Sequence, residues 1–141
     1  MTNAEIERAC ERLVLNLAYF SDNQDYDALA ALFTPDGKMV RPAGDVLFGQ
    51  AAIIQSYRSR PPGRITRHIC TNIRITVDSA DHARGITYAI VYSGSANEPP
   101  EAHFGVKLDA RHLIGEFEDE FVLTVEGWRI ASRRARFVMH T

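Results

Sequence analysis

Two side chains in this sequence have the chemistry that proton transfer needs. Asp22 follows the apolar stripe of a predicted helix, just after Phe20, and His68 lies in a β-branched segment. A carboxylate is poorly placed at the C-terminal end of a helix, where the dipole disfavours anions. Asp22 is therefore either a solvated residue of a Ser-Asp-Asn-Gln turn or a general base at a cavity mouth, where desolvation raises its pKa.

The orientation of His68 depends on the phase of its strand. Strict alternation places His68 on one face with Cys70 and Asn72. The apolar Ile69 and Ile73 then lie on the opposite face, which is expected to pack on the helices. His68 thus points away from the helices unless a β-bulge changes the phase. It is either a structural or surface histidine, or a residue of a cavity.

The last predicted strand contains four arginines, and their spacing divides them between two faces. Arg129 and Arg133 share one face, and Arg134 and Arg136 share the other. On the inner face, an arginine is placed to bind an oxyanion or a leaving group. On the solvated face, arginine is expected to pair with glutamates of the neighbouring strand, which are Glu116, Glu118 and Glu120.

The remaining four histidines are weaker candidates for a functional role than His68. His103 is a cavity candidate because it lies beside a loop rich in glycine, asparagine and proline, residues 93–101. The other three are expected to be ordinary polar positions: His82, His112 and His140.

Several classes of site are missing from the sequence. It has no glycine-rich phosphate loop, no Gly-x-Ser-x-Gly elbow and no His-Glu-x-x-His motif. Its two cysteines, Cys10 and Cys70, lie far apart, so neither a disulfide framework nor structural zinc is expected. We therefore predict a protein that needs no metal and no organic cofactor.

Composition narrows the classes of protein further. The 141 residues are 45% hydrophobic and 24% charged, as in a globular domain, and the net charge is −2. This charge gives no general attraction to nucleic acid or to a membrane, and it suits an apolar substrate. The sequence shows neither a signal peptide nor a segment long enough for a membrane helix. The prediction is a soluble cytoplasmic protein, either an enzyme or a binder of a small-molecule ligand.

The elements that must position these residues run from helices to strands. Periodicity predicts a helix from Thr2 or Asn3 to about Ser21, and two more helices begin near residues 25 and 49. Thr34-Pro35-Asp36-Gly37 is expected to end the second helix in a turn, before a short strand at residues 38–41. Four longer strands follow at residues 67–78, 82–93, 111–125 and 128–138.

This order of elements predicts an α+β fold of one domain, residues 1–141. Three N-terminal helices packed on a curved, mostly antiparallel sheet form a cone-shaped α+β barrel. Such a cone encloses a pocket where the strands twist and bulge. The exposed face of the sheet is also available as the interface of a homodimer or homotrimer.

Several short motifs resemble the nuclear transport factor 2-like, SnoaL-like proteins. The motifs are Tyr19-Phe20-Ser21-Asp22, residues 26–37, Phe48-Gly49, residues 67–72 and Gly127-Trp128-Arg129-Ile130. The resemblance covers about residues 4–138. Within the superfamily, the chain is similar to the branch of scytalone dehydratase and hexachlorocyclohexane dehydrochlorinase. The resemblance implies a cone-shaped fold that supports many different reactions.

The resemblance also implies roles for single residues. The dehydrochlorinase uses an aspartate–histidine dyad, with the histidine in a His-x-x-Thr-Asn strand. Asp22 and His68 match this dyad, and Asn72 ends the strand motif. Arg133, five residues after the hairpin tryptophan, matches a further arginine. Leu17 stands where the dehydrochlorinase has a lysine, which argues against elimination of hydrogen chloride.

The implied function is a dehydratase-like, cofactor-independent lyase or isomerase that acts on a small, largely apolar ring compound. Asp22 orients His68, which moves the proton, while Arg133 steadies the developing charge with Asn72. The residues expected to bind substrate are Tyr19, Tyr57, Asn72 and His103. Two alternatives are a non-catalytic ligand-binding or accessory protein, and a polyketide-cyclase-like enzyme that uses Asp22 alone.

Overall fold

Three helices and six strands follow one another in the computed structural model, which describes all 141 residues. The helices are α1 (Asn3–Asp22), α2 (Tyr26–Ala30) and α3 (Gly49–Arg58). The strands are β1 (Phe33–Val40), β2 (Val46–Phe48), β3 (Arg64–Val77), β4 (His82–Ser95), β5 (Leu113–Thr124) and β6 (Gly127–His140). The predicted α+β class is confirmed.

The helix α1 begins at a capping box and buries one apolar face. The Thr2 hydroxyl accepts a hydrogen bond from the backbone N–H of Glu5, whose carboxylate accepts one from the backbone N–H of Thr2. The apolar stripe, whose residues recur at steps of three and four, is buried at Ile6, Cys10, Leu13 and Leu17. This face packs on β3 and β6, so the C-terminal end of α1 lies against the sheet.

All six strands belong to one mixed sheet in the order β2–β1–β6–β5–β4–β3. The strands β3 to β6 are successive antiparallel neighbours. In contrast, β1 runs parallel to β6, and Phe33 lies opposite Ile130. The sheet is thus mostly antiparallel, as predicted, with one parallel pair. The helices pack on the sheet, and a cavity remains beside α1 and the strands.

Two local predictions are wrong. Residues 34–37 do not form a turn, because β1 already starts at Phe33 and an irregular register up to Lys38 takes up this segment. Pro35, which has no backbone N–H, lies where neither β2 nor β6 pairs with β1, so no ladder hydrogen bond is lost there. The strand β2 is absent from the prediction because three residues are too few to show an alternation.

Candidate active site

Asp22 and His68 form a short, nearly buried pair between α1 and β3. Oδ1 of Asp22 lies 2.6 Å from Nδ1 of His68, and Oδ2 accepts a hydrogen bond from the His68 backbone N–H at 2.9 Å. The Thr66 hydroxyl donates to Oδ1 at 2.9 Å. Only 9% of the Asp22 side chain and 15% of the His68 side chain are exposed. One carboxylate therefore fixes both the ring and the strand that carries it.

The pKa of the Asp22 carboxyl lies below its ordinary value. Burial by itself raises this pKa, but the hydrogen bonds from the ring and backbone of His68, and from Thr66, favour the ionised form more strongly. The expectation that desolvation raises the pKa of Asp22 is therefore wrong, because these donors outweigh it. Asp22 is ionised at neutral pH and acts on the ring of His68 as a negative charge.

A β-bulge in β3 turns His68 toward the cavity. The register between β3 and β4 shifts just before Arg74, and Asn72 has a left-handed φ of 51°. Asparagine adopts this conformation more readily than most residues. Before the bulge, Thr66 and His68 line the cavity. After it, the side chains packed on the core have the opposite phase: Ile73, Ile75 and Val77. The bulge thus explains how His68 and Ile73 lie on the same side of the sheet, although strict alternation assigns them to opposite faces.

A cavity of about 320 Å³ opens beside His68, a size typical of small-ligand sites. Nε2 of His68 has no hydrogen-bond partner in the protein, whereas Nδ1 is bonded to Asp22. Asp22 itself does not line the cavity. His68 is therefore the member of the pair that reaches a ligand. Much of the surrounding wall is apolar, with Leu17, Met39, Val91, Leu113, Phe117 and Phe137.

Arg133 also lines the cavity and binds Asp119 through two parallel hydrogen bonds. Nε and Nη2 donate to the two carboxylate oxygens at 2.7 and 2.8 Å, and the guanidinium carbon lies 3.9 Å from the centre of the Phe117 ring. Burial lowers the pKa of Arg133, but the charge and hydrogen bonds of Asp119 outweigh burial and raise it. Nη1 makes no hydrogen bond within the protein, so it is the donor left for a ligand.

Asp119 is not among the partners that the sequence predicts for the arginines. It alternates with the glutamates on either side of it, so its side chain lies on the inner face, opposite Arg133 in the register of β5 and β6. That phase is the signal in the sequence that identifies it. The expected pairing is confirmed for Glu116 and Arg136, which also lines the cavity; their charged atoms lie 2.5 Å apart.

Of the four residues predicted to bind substrate, Tyr57 alone lines the cavity. Tyr19 is 62% exposed near the end of α1, and the other two, Asn72 and His103, are exposed as well. The structure does not bring these three side chains to the cavity. Thr66 lines it without having been predicted, although its position two residues before His68, on the same face, is a signal for it.

Two whole-chain features concern membranes and metals. No helix combines the length and the apolar character that are needed to cross a membrane. The histidine, cysteine, aspartate and glutamate side chains form no group of three or more that is suited to hold a metal ion.

Comparison with known families accounts for nearly the whole chain. The model of the SnoaL-like domain matches residues 2–134. The chain belongs to the SnoaL-like family. The resemblance seen in the sequence is thereby confirmed for the family. A comparison of this SnoaL-like chain with curated proteins gives no match.

Solved structures share the fold of this SnoaL-like protein. A candidate scytalone dehydratase from Novosphingobium aromaticivorans aligns with 99% of the chain and 88% of its own, at 24% identity and a TM-score of 0.82. A hexachlorocyclohexane dehydrochlorinase, LinA type 2, aligns with 97% and 91%, at 16% identity and a TM-score of 0.79. A protein of unknown function from Mycobacterium tuberculosis aligns with 96% and 72%, at 27% identity and a TM-score of 0.76. These likenesses confirm the predicted cone-shaped fold.

Proposed function

We propose that this SnoaL-like protein is a cofactor-independent lyase or isomerase of dehydratase type, which acts on a small ring compound by proton transfer. One observation carries the proposal. The 2.6 Å contact between Asp22 and Nδ1 of His68 leaves the other ring nitrogen without a protein partner at a largely apolar cavity. A histidine held in this way has one nitrogen for the carboxylate and one for the substrate.

In the proposed mechanism, Asp22 sets the tautomer of His68. The ionised carboxylate accepts the Nδ1 proton, so the lone pair of the neutral ring is on Nε2. Nε2 removes a proton from a carbon of the substrate, and Asp22 stabilises the imidazolium that forms. If the C–O bond at the adjacent carbon then breaks, the oxygen leaves with the electron pair. The oxygen takes the proton from His68, and water is lost. If the proton returns to a different carbon, the substrate is isomerised.

Arg133 and Tyr57 have supporting roles in this proposal. Nη1 of Arg133 donates to the oxygen on which negative charge develops, in a setting where burial strengthens the interaction. The Tyr57 ring forms part of the wall against which the substrate packs. Tyr19, Asn72 and His103 have no part in the proposed chemistry because their side chains lie outside the cavity.

Of the two alternative functions, the structure favours one and disfavours the other. A polyketide-cyclase-like enzyme using Asp22 alone is disfavoured, since Asp22 does not line the cavity and its lowered pKa makes it a weak base. The second candidate is a non-catalytic binding protein. It is favoured by the bonds from Asp22 to the His68 backbone and to Thr66, which give the carboxylate a structural use without any reaction.

We propose the cytoplasm as the setting and, because the cavity has the size of a small-ligand site, a small molecule as the ligand. We propose no nucleic-acid partner, because the net charge is −2. We further propose that copies of the chain associate through the outer face of the sheet as a homodimer or homotrimer. Ile86 and Tyr88 on β4 support this proposal, since they are 45% and 46% exposed on that face.

The experiment compares wild-type protein with His68→Gln and Asp22→Asn on hydroxylated, halogenated and polyketide-like ring compounds. Reactions run in heavy water, and mass spectrometry measures both product and deuterium bound to carbon. We expect His68→Gln to lose about 10²–10⁴-fold in rate, the usual contribution of a general base, and Asp22→Asn to lose rate as well. Equal turnover in all three proteins would reject the dyad.

His82→Gln is the matched control for this experiment. His82 also contacts a carboxylate, with Nδ1 2.8 Å from Oδ1 of Asp81, but both side chains are more than half exposed and neither lines the cavity. Its loss should leave the rate unchanged. The alternative, a non-catalytic binding protein, is favoured if a ring compound binds tightly without turnover and its affinity does not change in His68→Gln.

A further inference from the structure

The cavity beside His68 has an unbalanced set of charges. No aspartate or glutamate lines it, although 18 such residues occur in the chain. The charged residues of its wall are all arginines, namely Arg41, Arg60, Arg64, Arg133 and Arg136. A wall that combines apolar side chains with guanidinium groups differs from one that is only apolar, because it attracts anions.

Three of these arginines are neutralised by carboxylates outside the cavity wall. The ion pairs are Arg41 with Asp45, Arg133 with Asp119 and Arg136 with Glu116. Arg60 and Arg64, which we call the arginine pair, have no carboxylate within 4 Å. The uncompensated positive charge of the cavity therefore lies at the arginine pair.

Both members of the arginine pair are held in place by uncharged groups. The guanidinium carbon of Arg60 lies 4.3 Å from the centre of the Tyr57 ring, and Nη2 of Arg64 donates to the Ser93 hydroxyl at 3.1 Å. Two prolines and a glycine connect the two arginines, and the Arg64 backbone N–H bonds to the carbonyl of Pro61. These contacts fix the positions of the guanidinium groups without neutralising their charge.

The position of Arg64 relates the arginine pair to the proposed reaction centre. Arg64, Thr66 and His68 all line the cavity from the same face of β3, ahead of the bulge. Arg64 and His68 are four positions apart on an extended strand, which places their Cα atoms about 13 Å from each other. Their side chains both project into the cavity, so a molecule of one or two rings spans from one to the other.

We propose that the arginine pair binds an acidic group of the substrate, so that the substrate class is a ring compound carrying a carboxylate or a phosphate. This inference rests on the proposed function for the identity of the cavity as a substrate site. The acidic group lies between the guanidinium groups at the mouth, and the apolar ring lies against the inner wall beside His68. Guanidinium groups bind both carboxylate and phosphate through paired hydrogen bonds.

Binding of matched probes tests the proposal without any need for turnover. Isothermal titration calorimetry compares 2-naphthoate with 2-naphthamide, which has nearly the same shape but no charge, and with 2-naphthyl phosphate. We expect at least one of the two anions to bind wild-type protein about tenfold or more tightly than the amide. Which of the two anions binds more tightly distinguishes a carboxylate site from a phosphate site.

Variants of the arginine pair locate the effect. Arg60→Gln and Arg64→Gln should each reduce the preference for the anion, and the double variant should abolish it. Arg74→Gln is the matched control, because Arg74 is an exposed arginine of the same strand outside the cavity, and it should keep the full preference. Equal affinity of wild-type protein for anions and amide, no binding of any probe, or a preference that survives in the double variant would each overturn the proposal.

His68→Gln separates this proposal from the proposed function. That variant keeps the arginine pair, so it should keep the preference for the anion over the amide while it loses turnover. If the anion preference is present but no turnover depends on His68, the proton-transfer function fails and the anion site stands. If His68-dependent turnover occurs only on uncharged rings and the probes show no preference, the anion site fails and the function stands.

Discussion

At the scale of single residues, the Asp22 carboxylate joins the proposed chemistry to the stability of the fold. It bonds to the ring of His68 and also to the backbone of β3, so it connects the end of α1 with the sheet. A residue with both contacts should affect the rate and the free energy of unfolding together. Its effects on stability therefore need their own measurement.

The lowered pKa of Asp22 predicts an acid dependence of stability. Because this pKa lies below the ordinary value of 3.8, ionised Asp22 stabilises the folded protein above that pH. The contribution is lost as pH falls through the folded-state pKa. We expect the free energy of unfolding in urea to fall less steeply below about pH 4 for Asp22→Asn than for the wild type. Asp36→Asn, which removes an exposed carboxyl without side-chain partners, should keep the wild-type slope; an unchanged slope in Asp22→Asn would contradict this account.

The buried pair of Asp119 and Arg133 predicts a large cost when one partner is removed. Asp119→Ala leaves a guanidinium that is 2% exposed without its counter-charge, which should lower the free energy of unfolding by about 3–5 kcal/mol. Glu116→Ala removes a pair whose arginine is 57% exposed, and it should cost about 1 kcal/mol or less. Chemical denaturation measures both. Replacing both partners by apolar residues, Asp119→Leu with Arg133→Met, should recover much of the loss; if it does not, the uncompensated charge is not the cause.

At the scale of elements, the bulge in β3 decides which side chains reach the cavity. Asn72 has a φ of 51°, which costs a β-branched residue more than it costs asparagine. We expect Asn72→Val to lower the free energy of unfolding by about 1–2 kcal/mol, and Asn72→Gly to change it little. Thr76→Val, an exposed position on the same strand beyond the bulge, is the control and should have a small effect. If valine and glycine at position 72 are equally stable, the left-handed backbone is not what the asparagine provides.

The bulge also shows how far sequence reasoning reaches at this scale. Alternation alone assigns His68 and Ile73 to opposite faces, and the conflict between them indicates that a bulge is needed. The position of the bulge depends on pairing with β4, which no local pattern contains. In the same way, the sequence predicts α1, α3 and the four long strands, whereas the start of β1 depends on β6, a partner distant in the chain. The strand β2 is too short to show an alternation.

At the scale of the whole molecule, the net charge predicts less about the substrate than the distribution of charge around the cavity does. A net charge of −2 suits an apolar substrate, but it includes glutamates and arginines that lie opposite one another on β5 and β6. The arginines around the cavity come from separate parts of the chain: Arg41 and Arg60 follow β1 and α3, and the others lie on β3 and β6. Arg133 can be identified as a candidate from the sequence because it belongs to the group of four arginines on the last strand. Arg60 and Arg64 lie outside that strand and are not identified.

The outer face of the sheet predicts the state of association. If copies of the chain associate there, the double variant Ile86→Glu with Tyr88→Glu buries like charges at the interface and should weaken association by about a hundredfold or more. Size-exclusion chromatography with light scattering measures the mass. Leu15→Glu is the control, because Leu15 is 49% exposed on α1, away from that face, and it should leave the mass unchanged. A wild-type protein of monomeric mass would contradict the prediction.

The parallel pairing of β1 with β6 has a consequence for the order in which the chain folds. The strands β3 to β6 pair with their neighbours in sequence, and short loops join β3 to β4 and β5 to β6. Closing the long loop between Phe33 and Ile130 costs more entropy, so we expect these residues to meet only after most of the chain between them is arranged. Met39 lies on β1 and lines the cavity, so this wall is added late. We therefore expect the cavity to be completed near the end of folding, so that the newly made chain exposes its apolar lining until β1 docks on β6.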